Sequence, residues 1–288
     1  MRLHFIGVGK MGLPMALHLR SAGHDVSVSD VDAQALGAAR KQGLNTVTLA
    51  EGLGQAAVVL SSLPNDNALL QVAAEVSAGA RPGTVYVDTS TVSPGASAAA
   101  AQSLAVGAVP YLRCTVSGNN KMAEAATLTV MGSGPRAAWD SVRPLLTCWG
   151  PHQFYLGDAE QARLMKLVVN LMIVQTSAML AEALTLGRKG GLDWQDMWQV
   201  LGASAVASPI VRAKSVQLAQ RDFSPTFTVE QMIKDLSLIL EAGAASGVPL
   251  DQTALTLQWM KAAVEQGLGL EDYASVIKTL ERRADLVG

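Results

Sequence analysis

Cysteine is scarce: Cys114 and Cys148 are the only two in 288 residues. Two thiols cannot staple a chain of this length, and they lack metal-ligand spacing. Neither a disulfide framework nor a metal centre is expected, and a reducing, cytoplasmic location is the expectation. Charge is also low, at 16% Asp, Glu, Lys and Arg against about 25% in ordinary globular chains. The 22 basic residues are balanced by 24 acidic ones. No basic excess exists to drive binding to a phosphate backbone, which argues against a nucleic-acid partner. Long apolar runs are missing as well. The longest, Leu167 to Ala181, contains Asn170, Gln175, Thr176 and Ser177. A membrane span needs about 20 predominantly apolar residues, so this run reads as a buried helix and no membrane partner is expected. The start of the chain, MRLHFIGVGKMG, is apolar only as far as Lys10, which predicts no secretory signal.

What is present is a high hydrophobic share, 49%, enough for a sizeable core. The first half alternates short β-type runs with helical stretches. Strands are predicted at Leu3–Val8, Val26–Asp30, Val58–Leu63, Val85–Asp88, Tyr111–Cys114, Leu128–Met131 and Phe154–Leu156, with helices such as Leu13–Ser21 and Ala33–Lys41 between the early ones. Such alternation implies βαβ units and a mainly parallel, doubly wound sheet of Rossmann type. FIGV and VVLSSL are apolar at successive positions, as strands covered on both faces are. Beyond Gly157 no strand is predicted. A long helix over Gln161–Lys189, ended by Gly190-Gly191, leads into helices at Trp194–Leu201, Ile210–Gln220, Val229–Ala245, Gln252–Gln266 and Tyr273–Asp285, with Asp193 as an N-cap. The expected fold is α/β, a dinucleotide-binding domain over 1–159 followed by an all-helical domain over 160–288.

Gly7-Val8-Gly9-Lys10-Met11-Gly12 is a G-x-G-x-x-G string between a strand and a helix, the context that gives the motif meaning. Gly7 permits the tight turn, Gly9 lets the backbone approach a pyrophosphate, and Gly12 allows close helix-on-strand packing. The helix N-terminus offers N–H groups and a positive dipole end to the phosphates. Asp30 closes the second strand, 18 residues beyond Gly12. A carboxylate there accepts hydrogen bonds from both ribose hydroxyls of NAD and repels the extra phosphate of NADP; the next residues are Val31 and Asp32, not arginine. NAD rather than NADP is therefore expected, with Asp32 as an N-cap. Leu63-Pro64-Asn65 and Asp88–Pro94 end strands where open α/β sheets bind ligands, although Pro and Asn also make plain turns.

Lys166 lies in the most apolar part of the long helix, with Asn170 one turn later on the same face. A lysine among apolar neighbours loses hydration and becomes fit to exchange a proton with a substrate hydroxyl, whose oxygen Asn170 can hold. By spacing alone the commoner reading of such a pair is a snorkelling lysine beside a surface amide. Ser117-Gly118 ends another strand, where backbone N–H groups can hold a carboxylate or simply make a turn. Lys234-Asp235 reads as a solvated helix face. Arg113 reads either as an exposed strand-end residue or as the partner of a second substrate carboxylate. The four histidines are scattered, and no G-x-S-x-G elbow supports a nucleophilic triad.

Together these motifs resemble the β-hydroxyacid dehydrogenase family, the group of 3-hydroxyisobutyrate dehydrogenase and 2-hydroxy-3-oxopropionate (tartronate semialdehyde) reductase. The resemblance rests on FIGVGKMGLPMALHL, SLPN (62–65), DTSTVSP (88–94), TVSGNNKMAEAATLTVMGSG (115–134), KLVVN (166–170) and IKDL (233–236), in order over nearly the whole chain. It implies NAD-dependent oxidation of a small 3-hydroxy acid, or reduction of its semialdehyde. Lys166 would be the general acid/base and Asn170 would align the substrate oxygen. Ser117, Gly118 and Asn119 would bind the substrate carboxylate. Gly7, Gly9, Lys10, Met11, Gly12, Asp30, Leu63, Pro64, Thr91 and Lys234 would contact the cofactor. A homodimer or homotetramer built through the helical domain is also implied. Alternatives on this reading are an imine reductase, whose usual Asp or Tyr is replaced by Lys166, and a non-catalytic NAD-binding module. A 6-phosphogluconate dehydrogenase would need a longer helical half and a cluster of phosphate-binding cations. Where the family usually reads D-A-P-V-S-G-G, this chain reads Arg113-Cys114-Thr115-Val116-Ser117-Gly118-Asn119, and Ala126 stands where Gly is frequent. These departures bear on the substrate rather than on the reaction.

Overall fold

The computed structural model describes residues 1–286. Two compact units, residues 1–166 and 167–288, divide the chain. In the first, β1 (Arg2–Ile6), α1 (Gly12–Ser21), β2 (Asp25–Ser29), α2 (Ala33–Lys41), β3 (Asn45–Thr46), α3 (Leu49–Gln55), β4 (Val58–Ser61), α4 (Asp66–Gly79), β5 (Val85–Asp88), α5 (Pro94–Val106), β6 (Tyr111–Ser117), α6 (Asn120–Glu124), β7 (Thr129–Ser133), α7 (Arg136–Leu146) and β8 (His152–Tyr155) alternate along the chain. They form one eight-stranded sheet in the order β3-β2-β1-β4-β5-β6-β7-β8. All neighbouring strands are parallel except β6 and β7. β1 lies between β2 and β4, so the chain reverses its winding direction there. The loop after β1 therefore opens at the switch point where such sheets bind ligands.

The central strands are buried on both faces, and their side chains alternate between two cores. Leu3, Phe5, Val58, Leu60, Val87, Leu112 and Cys114 pack with Met15, Leu19, Trp139 and Trp149. Ile6, Val59, Tyr86 and Tyr111 pack on the other face with Leu69, Val76, Ala100 and Leu104. The predicted strands Leu3–Val8, Val26–Asp30 and Val58–Leu63 stop short at Ile6, Ser29 and Ser61. Their carboxyl ends turn into loops; Val8 remains buried, but as a loop side chain rather than a strand residue. Helices α3 and α7 and the two-residue β3 were not expected. α3 is short and contains Gly52 and Gly54, and α7 carries Pro144 inside it.

The second unit continues the helix that begins before it. That helix, α8 (Gln161–Lys189), is followed by α9 (Trp194–Ala203), α10 (Pro209–Leu218), α11 (Val229–Ser246), α12 (Asp251–Glu265) and α13 (Val276–Arg283). Asp193 caps α9 as expected, and Gly247 ends α11 in the left-handed conformation. The stretch expected as one helix over Tyr273–Asp285 is a short 3₁₀ turn, Tyr273–Ser275, leading into α13. Among the described residues no strand lies beyond β8; Thr228 and Asp272 form an isolated bridge. By length and composition α8 would suffice to cross a membrane. It instead supplies Val174, Ala178, Ala181 and Leu184 to a core shared with Trp198, Met232, Leu236 and Met260.

One buried polar residue gives the sheet a pH dependence. His4, in β1, is fully buried, with its ring nitrogens 2.9 Å from Ser27 Oγ and Ser29 Oγ. Gly52 of α3 packs against it so closely that an added Cβ would lie 2.2 Å from Nδ1. Burial disfavours the imidazolium and lowers the pKa to about 4. The unfolded chain, with a histidine pKa near 6.5, binds the proton first. Stability is therefore lost as pH falls from about 6.5 towards 4, by roughly 2–3 kcal/mol at pH 4.5. In urea titrations the stability difference between wild type and His4→Gln should shrink by this amount between pH 7 and pH 4.5. A difference independent of pH would contradict the assignment.

Candidate active site

The loop joining β1 to α1 is closed by contacts that admit no side chain at two of its glycines. Gly7 has φ +86°, its N–H donates to Ser29 O at 2.9 Å, and a Cβ there would sit 2.4 Å from Ser62 O. A Cβ on Gly12 would sit 1.9 Å from Gly7 O. Gly9 differs: it is exposed, and a Cβ built on it would meet nothing within 4 Å. Glycine at position 9 therefore keeps space clear rather than fitting the fold. A cavity of about 540 Å³ opens there, lined by Val8, Gly9, Lys10, His18, Gln34 and Asn120 among others. No side chain caps α1, so its first N–H groups face the loop without a side-chain acceptor. Asp30 stands beside it, its Oδ2 accepting from Val8 N–H at 2.7 Å and its Oδ1 from Asp32 N–H at 2.9 Å. Those bonds orient the carboxylate at the tip of β2, and Asp32 caps α2 through Gln34 N–H. Glycine backbone, open helix end and oriented carboxylate are the donor and acceptor set that a dinucleotide requires.

The loops after β4 and β5 are tied together. Leu63 N–H donates to Ser90 Oγ at 2.8 Å, and Ser90 Oγ donates to Asp88 at 2.6 Å. Asp66 accepts from both Ser93 N–H and Ser93 Oγ, while Asn65 and Ser93 cap α4 and α5. These loops are thus more than turns: Leu63 and the half-buried Thr91 are held on a shared hydrogen-bonded frame.

Beneath that frame lies a residue the sequence reading passed over. Arg163, in the first turn of α8, is fully buried and ion-paired with the equally buried Asp88. Its Nε donates to Ser97 Oγ at 3.2 Å, Nη1 to Ser90 O, and Nη2 to Asp88 and to Tyr111 OH, the last at 2.8 Å. Burial opposes the charge, but Tyr111 and Asp88 outweigh it and hold the pKa above the ordinary arginine value. Leaving either partner of such a pair alone costs about 3–5 kcal/mol. The linear sequence carries no signal for it, because Asp88 and Arg163 are distant in the chain.

Lys166 follows one turn after Arg163 and is half-buried. Its apolar sequence neighbours do not form a closed jacket: Leu164, Met165 and Val168 are themselves exposed. At the end of β6, Ser117 is followed by Gly118 with φ +136°, where a Cβ would lie 2.6 Å from Leu128. The Asn119 side chain accepts from Met122 N–H at 3.1 Å and so caps α6. Ala126 adopts φ +55°, a left-handed conformation that favours the glycine frequent there in the family it resembles. Arg113 is neither an exposed strand end nor open to a substrate carboxylate. It is buried, ion-paired with Glu160 and stacked over the Tyr111 ring.

In the second unit the reading of Lys234-Asp235 as a solvated face is overturned. Asp235 is 1% exposed and accepts from Asn170 Nδ2 at 2.6 Å. Lys234 Nζ lies 2.9 Å from the other carboxylate oxygen. An ionised carboxylate only accepts, so it must face the amide nitrogen of Asn170, whose Oδ1 is thereby kept as an acceptor. Helical periodicity was the available signal, since Asp235 falls between Met232, Leu236 and Ile239 on the buried face of α11. Among the described residues no group of three or more His, Cys, Asp or Glu is placed to hold a metal ion.

Residues 2–157 match the family model for the NAD binding domain of 6-phosphogluconate dehydrogenase, and residues 161–280 match that for the NAD-binding region of NADP-dependent 3-hydroxyisobutyrate dehydrogenase. The chain is 35% identical to 2-(hydroxymethyl)glutarate dehydrogenase of Eubacterium barkeri, covering 98% of this chain and 95% of that protein. The chain belongs to the β-hydroxyacid dehydrogenase family. A solved 3-hydroxyisobutyrate dehydrogenase from Mycobacterium tuberculosis, with L-serine, superposes with a TM-score of 0.89 at 28% identity, covering 97% of this chain and 98% of that one. An imine reductase from Streptomyces aurantiacus reaches a TM-score of 0.61 at 22% identity, covering 97% and 99%, and shares the fold alone. The protein is thus an NAD(P)-dependent hydroxyacid dehydrogenase with a Rossmann cofactor domain. In this β-hydroxyacid dehydrogenase Gly9 and Gly12 should respond differently to a methyl group. Gly9→Ala is expected to melt within a degree or two of wild type while binding NAD at least about tenfold more weakly, and Gly12→Ala is expected to fold poorly. Calorimetry and NADH fluorescence titration check both, and unchanged NAD affinity in Gly9→Ala would contradict the assigned role.

Proposed function

We propose that this enzyme oxidises a small 3-hydroxy acid, or reduces the matching semialdehyde, with NAD as the preferred cofactor. The substrate class is 3-hydroxyisobutyrate-like or glycerate-like (2-hydroxy-3-oxopropionate in the reducing direction). The observation that carries the reading is the Lys166–Asn170 pair, one turn apart on α8, with the Asn170 amide fixed by Asp235.

Bound nicotinamide supplies a hydride acceptor in oxidation and a donor in reduction. Lys166, as the neutral amine, takes the proton of the substrate hydroxyl as the carbon–oxygen bond becomes a carbonyl. In reduction its ammonium returns that proton to the carbonyl oxygen. Asn170 aligns the same oxygen. Ser117, Gly118 and Asn119 hold the substrate carboxylate, chiefly through backbone N–H groups, since the Asn119 side chain already caps α6. Gly7, Gly9, Lys10, Met11 and Gly12 would cradle the pyrophosphate, and Asp30 would accept from the ribose hydroxyls. Leu63, Pro64 and Thr91 would meet the nicotinamide end. Because Glu160 neutralises Arg113, recognition of a second carboxylate does not fall to that arginine.

Met172, Met179 and Leu186 recur at seven-residue spacing on α8 and are 67%, 47% and 76% exposed. Such a stripe supports a homodimer or homotetramer packed through this helix.

A screen of 3-hydroxyisobutyrate, glycerate, serine and threonate at the NADH absorbance band should find turnover, with a higher kcat/KM for NAD than for NADP. Lys166→Met should lower kcat by about 10²–10⁴-fold while folding normally. Wild-type turnover by that variant would remove Lys166 from the mechanism, and a clear NADP preference would remove the discriminating role of Asp30.

A further inference from the structure

We infer that Arg163 is a positioning residue, a buried strut that fixes the loop carrying Thr91 and the helical turn carrying Lys166 in one arrangement. The inference rests on the dehydrogenase reading above and adds to it a residue outside the substrate and cofactor contacts. Four facts support it. The guanidinium is wholly buried, so solvent cannot replace a lost partner. Its donors go to separate elements: Asp88 at the end of β5, Ser90 O in the following loop, Ser97 in α5 and Tyr111 in β6. Asp88 passes the constraint on, accepting from Ser61 Oγ at 2.5 Å and from Ser90 Oγ, which in turn accepts from Leu63 N–H. The neighbouring residues of the same segment are braced as well. Ala162 N–H donates to Ser133 Oγ, Ala162 O accepts from Thr115, and Ala159 O accepts from Ser133.

The geometry matters because guanidinium donors lie in one rigid plane. Four acceptors, reached from all three nitrogens of that fork, leave Arg163 a single orientation, and with it the rotation of the first turn of α8 about its axis. Lys166 sits three residues on, so that rotation sets where its ammonium emerges. Thr91 adjoins Ser90, whose carbonyl and hydroxyl are both held by the cluster. A misplacement of about 1 Å at reacting groups is enough to lose on the order of 10²-fold in rate. An apolar side chain could fill the same volume but could not set this register. Buried ionic groups serve such registry roles better than they serve stability.

The test compares wild type with Arg163→Lys, which keeps the charge and loses the fork, and with Tyr111→Phe, which removes one acceptor and preserves the ring. Four quantities are measured: amide hydrogen exchange in the NAD-free protein, Kd for NAD, kcat, and the primary deuterium isotope effect of a substrate labelled at the hydroxyl carbon. In Arg163→Lys, exchange at residues 89–92 should rise at least tenfold while β1 and α1 keep their protection. Kd for NAD should stay within threefold, kcat should fall at least 30-fold, and the isotope effect should grow because hydride transfer becomes limiting. Tyr111→Phe should show the same pattern at smaller amplitude. A purely structural role would lower the folded fraction and leave the isotope effect of the remaining enzyme unchanged, which overturns the proposal. Unchanged exchange at 89–92 overturns it too, as does raised exchange with unchanged kcat. If Arg163→Lys does not fold, the same readings on Tyr111→Phe decide. Wild type inactive on every hydroxy acid would count against the dehydrogenase reading itself, while the exchange data still judge the strut.

Discussion

A charged guanidinium without water around it must be surrounded by acceptors, and that requirement organises the middle of the sheet, at strands β4, β5 and β6. Arg163 finds Asp88, Tyr111, Ser97 and a loop carbonyl; the first three are pinned in turn by β5, β6 and α5. The ends of β4 and β5, the start of β6 and the start of α8 are thereby held to one geometry. Low dielectric strengthens each bond while making a missing one expensive, so losing one member weakens the hold on the others.

The glycine loop is a constraint of another kind, built from excluded volume. Gly7 and Gly12 are required by the fold itself, because backbone oxygens occupy the places their side chains would take. Gly9 is required by nothing within the protein. A string of three glycines thus separates into two that shape the turn and one that leaves room for a ligand. The same reasoning explains why Ala126 stands at φ +55° without preventing the fold: a single strained alanine costs about 1–2 kcal/mol, which a domain of this size absorbs.

Much of this was legible in the order of residues. Alternating apolar runs gave the doubly wound sheet, the change of character after Gly157 gave the helical half, and α8 was bounded at Gln161 and Lys189 by its periodicity and the Gly190-Gly191 stop. Local rules work where the signal is local: Asp32, Asp193 and the G-x-G-x-x-G turn were all readable from neighbours. They fail where partners meet from afar. Arg113 looked exposed because its partner Glu160 lies 47 positions away, and Asp235 looked solvated because Lys234 beside it suggested a surface pair. α3 was hidden by its glycines and α7 by Pro144, residues that ordinarily end helices. The antiparallel pairing of β6 with β7 has no signature in composition, and the helix between those strands, α6, is only five residues long.

The central claim is that Lys166 carries the proton that accompanies hydride transfer. A crystal structure of the enzyme with NAD and a slow substrate or substrate analogue tests it most directly. The account predicts Lys166 Nζ within hydrogen-bonding distance of the oxygen on the reacting carbon, about 2.6–3.2 Å, with the second N–H of Asn170 Nδ2 donating to the same oxygen. A structure in which that nitrogen points into solvent while another acid or base meets the oxygen would contradict it.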